Sequence, residues 1–533
     1  DGGRTVRDVF PGTQIPADRL DPVARALMRF WPMPNRPADN LTGANNFRAN
    51  YVQILTRNNY TAKVDHQITA NDRLSIRYLY NSDDRDYTSV FTDPAADTNT
   101  PALRHQNYTY GSWTRVISPA VVNELRFTYA DRINHEMSFG LGGDWPAQLG
   151  LQGVPSGAFP EFTVAGVQTL GAGTHERRQF PIRQWQLVEN LSWVRGRHTM
   201  KFGFEMRPSY NFEVNRGSIS GRFTFNPLAT GAPGTASSGS GIASLLLGLP
   251  QNFNVRQTEE LERSSTYLAA FAQTDWQVSR NLTLNVGVRW EVDTPIKDKN
   301  LRMNSFDPVA INPVSGTPGV VRFMGENGLG DTPYKTDWNN FGPRFGFAWK
   351  PFGSEKTVVR GGSGISFAHP FDGGAPGSAA LGYEISANLN SPDNGITFPF
   401  VLGNGVPQVQ LRAPERNESF GAVRLGQNPN TAVTFYEQDR ATGYSMQGNL
   451  GIQREFAGNI LVEVGYLYNE SRKLPSSSLS LNQISPERLG PGATQRDRPF
   501  PQFSNVSLLF PTLGVSSYHA GLVRLQKRFS GGL

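Results

Sequence analysis

The chain reads as an all-β protein: a transmembrane antiparallel up-and-down β-barrel carrying long loops. Three observations predict it. Hairpins whose residues alternate strictly between apolar and polar recur along the 533-residue chain. Short turns alternate with long connections rich in Gly, Pro, Asn, Asp and Ser. No apolar run nears the length of a membrane-spanning helix, the longest lying around Ser244–Leu249.

The hairpin from Ser265 to Val292 shows the unit most clearly, as STYLAAFAQTDWQVS, the turn RN, then LTLNVGVRWEV. Leu282, Leu284, Val286, Val288, Trp290 and Val292 share one face, and Thr283, Asn285, Gly287, Arg289 and Glu291 share the other. The apolar stripe persists for about 11 residues, enough for a tilted strand to cross a bilayer. Its charged reverse suits a wet lumen.

Before the first strand, residues 1–58 read as an extracellular loop with a short helix at 22–30. Asp21 caps it, Pro22 takes its first position and Pro32 stops it. Residues 59–533 then read as a partial barrel. Its first three hairpins pair 59–67 with 73–81, 105–117 with 121–132, and 182–195 with 198–212. The hairpin above is the fourth. A fifth joins GPRFGFAWK to KTVVRGGSGISF through PFGSE, and a sixth pairs 443–456 with 459–470. A thirteenth strand, Ser517–Phe529, follows. The long connections span 82–104, 133–181, 213–265, 294–340, 368–442 and 471–516, all at one end of the strands. An odd strand count, a start in a loop and a stop at FSGGL suggest a segment of a longer protein. DGGRTVRDVF has no signal-peptide core, so a signal was either removed or lies elsewhere.

Aromatics near strand ends read as interfacial belts: Trp193, Trp276, Trp290, Trp349, Tyr78, Tyr80, Tyr466 and Tyr468. The polar faces place Glu124, Arg126, Lys201, Glu205, Asn285, Arg289, Glu291, Arg360, Gln447, Asn449 and Glu463 toward the lumen. There they either hold a polar plug or form a hydrated wall.

Composition and motifs point away from catalysis. With no cysteine, thiolate zinc sites and cysteine nucleophiles are excluded. The formal charge of +6 is spread without a basic block. His135-Glu136 and His175-Glu176 lack the second histidine of a zinc-protease helix and are expected in loops. Asp83, Asp84 and Asp86 lack EF-hand spacing and read as solvated loop, as does the Gly-Ser run at 234–241. The seven histidines are scattered. No cofactor or metal is expected, and no nucleic-acid partner, because the alternating basic and aromatic residues are opposite faces of single strands.

Several stretches carry a family resemblance. They include IPADRLDPVARALMRFWPMPN, RNNYTAKVDHQITANDRLSIRYLY, LSWVRGRHTMKFGFEMR, DWQVSRNLTLNVGVRWE, NFGPRFGFAWKPFGSEKTVVRGGSGISF, NILVEVGYLYNESRKL and SYHAGLVRLQKRF. From about residue 15 to 530 the chain resembles the barrel of TonB-dependent outer-membrane receptors, in particular the Oar-like group common in acidobacteria and myxobacteria. The resemblance implies a 22-stranded barrel in the outer membrane of a Gram-negative bacterium. It also implies a plug domain, the TonB system of the inner membrane as energy source, and an extracellular ligand. The chain carries no plug sequence or TonB box. Substrate transport is the implied function, with the loops at 213–265, 294–340, 368–442 and 471–516 capturing ligand. A surface adhesion or assembly scaffold is the alternative, and a soluble propeller or sandwich a third reading.

Overall fold

The computed structural model describes all residues except 1–6, 41–42, 174–175, 234–237, 327–328, 352–355, 369–380, 394, 409–414 and 528–533. His175, most of the PFGSE turn, part of the Gly-Ser run and the last residues of the thirteenth strand therefore lie outside the described residues.

Among the described residues a single 15-stranded sheet dominates the fold. Two of its members are the short pieces Arg177–Gln179 and Lys297–Asp298, which leaves thirteen long strands. These are β1 (Gln53–Gln67), β2 (Asp72–Tyr87), β3 (Ala102–Ser118), β4 (Val121–Met137), β5 (Ile182–Arg195), β6 (His198–Arg216) and β7 (Leu261–Ser279). They continue as β8 (Leu282–Asp293), β9 (Phe341–Trp349), β10 (Thr357–Phe367), β11 (Tyr444–Phe456), β12 (Ile460–Leu474) and β13 (Gly514–Lys527). Each pairs antiparallel with the strand before it, in chain order. Among the described residues β1 and β13 do not pair with each other, so the sheet keeps two open edges.

All thirteen strands stand where the alternation predicts, and most run further. β1 starts at Gln53 rather than 59, β2 reaches Tyr87 rather than 81, and β4 reaches Met137 rather than 132. The excess lies at the long-loop rim, where the pattern of one wet and one apolar face fades. Asp83, Asp84, Asp86, His135 and Glu136 are consequently strand residues and not loop residues. Arg57 pairs with Asp83 at 3.2 Å, and His105 contacts Asp84 at 2.9 Å across neighbouring strands. These cross-strand partners extend the ladder where no apolar stripe marks it.

Tight turns close one rim. Gly196, at φ 61°, turns the two-residue link between β5 and β6. Gly458 and Asn459, at φ 80° and 58°, turn the chain between β11 and β12. Both settings are left-handed backbone that Gly and Asn tolerate best.

Among the described residues, nothing forms a second layer over the apolar faces. Val286, Val288, Leu450 and Val464 are 45%, 43%, 49% and 51% exposed. A packed sandwich would bury such side chains; a sheet facing lipid leaves them so.

The described parts of the long connections are folded, and they hold nearly all of the buried hydrocarbon among the described residues. Helix α1 (Pro22–Leu27) runs into a short 3-10 turn, Met28–Phe30. The Asp21 carboxylate caps α1 by accepting the Val23 and Ala24 amides at 2.9 and 3.1 Å. Its other oxygen accepts the Gly403 amide at 2.6 Å, tying the start of the chain to a loop far along it. Val23, Leu27 and Phe30 enter a core with Phe159, Phe162, Phe223, Phe253 and Leu402. That core lies on a four-stranded sheet ordered Ile385–Asn390, Asn252–Gln257, Arg222–Phe225, Glu161–Val164. The Phe162 and Phe223 rings stack at 5.0 Å. A second core gathers Phe306, Val321, Phe323, Val433, Phe503 and Val506 from three later connections. Burying each such ring contributes about 1.5–3 kcal/mol, so the loops hold their own shape.

Candidate functional site

Strand pairing decides which side chains share a face, because directly opposed residues point the same way. Glu124 opposes Asn190, which opposes Gly203, which opposes Phe271, which opposes Arg289. The same chain of partners runs from Asn285 to Gly346, Gly362 and Asn449. Followed across the sheet, the register puts Glu124, Arg126, Lys201, Glu205, Asn285, Arg289, Glu291, Arg360, Gln447, Asn449 and Glu463 on one face.

Some of the eleven meet and others do not. Arg289 donates to Glu291 at 3.0 Å and to the Tyr267 hydroxyl at 2.8 Å, and that hydroxyl donates to Glu291 at 2.9 Å. The other Glu291 oxygen accepts the Phe367 amide at 3.2 Å. Arg289 also stands 3.5 Å from Glu205, which accepts from Gln186 at 2.8 Å. The Arg207 guanidinium lies over the Tyr267 ring at 4.6 Å. The polar network thus links β5, β6, β7, β8 and β10. Gln186, Arg207 and Tyr267 were missed by the sequence reading; their place in the alternation, on the Glu205 and Arg289 face, was the available signal.

Elsewhere the contacts are smaller. Arg126 pairs with Glu124 at 2.9 Å, and Arg360 donates to Gln453 at 3.0 Å. Asn285 bonds Asp275. Gln447 and Asn449 line a groove of about 650 Å³ with Arg344, Asn469 and Tyr518. The Lys201 and Glu463 side chains have no polar partner among the described residues. Nearer the loop rim, Glu136 accepts from Arg104 and Arg178, each at 2.9 Å.

Small residues shape the rest of this face. Gly287, Gly342, Gly346, Gly362, Gly364, Gly451 and Gly465 all fall on it between β8 and β12. At Gly451 and Gly465 an added Cβ would meet nothing nearer than 3.8 Å. Between β8 and β12 the face therefore alternates glycines with polar side chains such as Asn285, Arg360, Gln447 and Asn449.

The tryptophans stand on the opposite, apolar face, at both ends of the strands. Trp193, Trp276 and Trp349 lie toward the tight-turn rim. Trp290 lies toward the loop rim, where its ring stacks on Trp338 at 6.3 Å and its indole nitrogen donates to the Trp338 carbonyl at 2.9 Å. The tyrosines correct the expectation of strand ends: Tyr78, Tyr80, Tyr466 and Tyr468 are mid-strand. Protein groups satisfy three of these hydroxyls there in place of interfacial water. Tyr78 donates to Asn107 at 2.8 Å, Tyr466 meets His519 at 2.6 Å and Tyr468 meets Ser363 at 2.7 Å.

Among the loops, Glu176 is fully buried. Burial pushes its carboxyl up to about 8, against the pull of the Ile219 amide at 2.7 Å, and nearby Glu161 adds to the rise.

The sequence profile of the outer membrane beta barrel domain family matches residues 1–533. No curated protein matches the chain at a significant level. Among solved structures, the outer membrane transporter YddB from Escherichia coli is similar at a TM-score of 0.47 and 12% identity, over 92% of this chain and 47% of that one. The FrpB iron transporter from Neisseria meningitidis is similar at 0.38 and 9%, over 90% and 50%. The ferric enterobactin receptor PfeA from Pseudomonas aeruginosa, in complex with enterobactin, is similar at 0.37 and 9%, over 88% and 49%. The chain spans about half the length of these proteins. With one face of its strands apolar and uncovered, the other polar and cross-linked, and the family profile matching from end to end, the chain belongs to the outer membrane beta barrel domain family and resides in the outer membrane.

Proposed function

We propose that the chain is the barrel portion of a substrate-specific outer-membrane transporter of the TonB-dependent, Oar-like type. The observation that carries this reading is the network joining Glu205, Tyr267, Arg289 and Glu291 across the polar face. Charges paired side to side, beside a strip of glycines, suit a water-filled lumen that holds a polar plug and lets it shift. In this reading the eleven polar residues line the lumen and the tryptophans form the two interfacial belts. The segments N-terminal to β1 and between the hairpins make the extracellular face. Their two hydrophobic cores support ligand capture by a preformed surface. The open edges at β1 and β13 support a barrel completed by strands outside these thirteen.

Growth tests the proposal. A strain lacking the gene and a strain lacking TonB are compared on one panel of nutrients. Transport predicts a nutrient deficit shared by both strains. A loss of adhesion alone, with every nutrient still used, would support the scaffold reading instead.

A further inference from the structure

A groove of about 690 Å³ opens on the apolar side of the sheet at the loop rim. Its floor is hydrocarbon from β10 and β11: Ile365, Phe367 and Met446, with Tyr444 beside them. The register puts these side chains on the face of Gly361 and Leu450, which is the lipid side. Its upper wall is cationic and comes from the loops and the end of β12.

Two of the cations have no carboxylate partner among the described residues. Arg440 lies over the Tyr334 and Tyr436 rings at 5.7 and 5.8 Å, and those rings hold its guanidinium without neutralising it. Lys473 sits where the β12 to β13 register shifts between Ser471 and Leu474, at φ 54°. Such a bulge re-aims a side chain, and here it brings a lysine to the groove. The third cation, Lys335, pairs with Asp439 at 2.6 Å. Asp337, the remaining acid, accepts the Thr442 amide at 2.8 Å. The stacked Trp290 and Trp338 stand at the same rim, which matches the headgroup level of a bilayer.

An apolar floor in the hydrocarbon with unpaired cations directly above it fits an anionic amphiphile. We propose that the groove binds a phosphorylated glycolipid of the outer leaflet, lipid A in chemistry. Arg440 and Lys473 engage its phosphate, and an acyl chain lies on Ile365, Phe367 and Met446. The long-loop end of such a barrel faces the outer leaflet, so the lipid is a glycolipid rather than a phospholipid.

Native mass spectrometry of the protein isolated from outer membranes tests this by titration with bis-phosphorylated lipid A. Each cation near a membrane surface contributes about fivefold in affinity. The Arg440→Gln/Lys473→Gln variant should therefore bind about 25-fold more weakly than wild type, and Arg280→Gln, in the opposite rim's turn, should bind as wild type does. Dephosphorylated lipid A should bind the wild-type protein as weakly as the double variant binds the phosphorylated form; this arm decides alone if the variant does not fold. Equal binding of phosphorylated and dephosphorylated lipid, full affinity in the double variant, or equal affinity for phosphatidylglycerol would each overturn the proposal.

Discussion

Arg289 reaches over β7 to Glu205 on β6, 3.5 Å away, across the fully buried Ala269. Ala269 opposes both Glu205 and Glu291, and its small side chain leaves the path open. Removing Arg289 leaves Glu291, Glu205 and the Tyr267 hydroxyl short of a donor at a site where Tyr267 and Glu291 are buried. Arg289→Met should lower stability by about 2 kcal/mol, read from the urea midpoint of the protein in lipid. Lys201→Met on the same face removes no polar contact and should leave the midpoint in place.

Gly448 carries the ring of Tyr468. An added Cβ would stand 2.6 Å from that ring and 2.9 Å from the Gly362 carbonyl. Gly448→Ala should displace the phenol, break its 2.7 Å contact with Ser363 and cost about 1–3 kcal/mol. Tyr468→Phe loses the contact alone and should cost about 1 kcal/mol. Urea midpoints of both variants check the order.

Glu176 gives the loop core a pH dependence. Its carboxyl stays neutral in the fold up to about 8, whereas the unfolded chain ionises near 4.5. Its contribution is therefore complete below pH 4.5 and is lost as pH rises toward 8. Amide exchange across residues 138–181 should be slower at pH 5 than at pH 8 once corrected for intrinsic rates. Glu176→Gln should abolish the difference.

Gly451 tests the glycine positions of the polar face. An added Cβ there meets only ordinary contacts, 3.8 Å to the Val464 carbonyl and 4.0 Å to that of Arg360. Gly451→Leu should fold and reach the membrane at wild-type levels while reducing uptake at least tenfold, measured on the nutrient that the growth panel identifies. Unchanged uptake would remove the glycine strip from the proposed transport path.

What was legible in the sequence follows from where lipid touches the chain. Leu282 to Val292 alternates visibly because one side of β8 is apolar throughout and the other is wet. Beyond the membrane both sides of a strand are wet, so Asp83, Asp84 and Asp86 gave no sign of belonging to β2. The loop cores were hidden for another reason. Val23, Phe162, Phe253 and Leu402 meet from four distant segments, and a local period such as Val23, Leu27 and Phe30 does not say which segment it packs against. Mid-strand Tyr466 and Tyr468 misled because an interfacial aromatic and a cross-strand partner have the same sequence signature.

β8 stands between two solvents, lipid on one face and water on the other. Spin labels placed singly from Thr283 to Trp290 in the bilayer-reconstituted protein test this through collision with oxygen and with a water-soluble nickel chelate. Oxygen should dominate at Leu284, Val286 and Val288, and nickel at Asn285 and Gly287, with a period of two. Equal accessibility at Val286 and Asn285, or nickel reaching both, would contradict it.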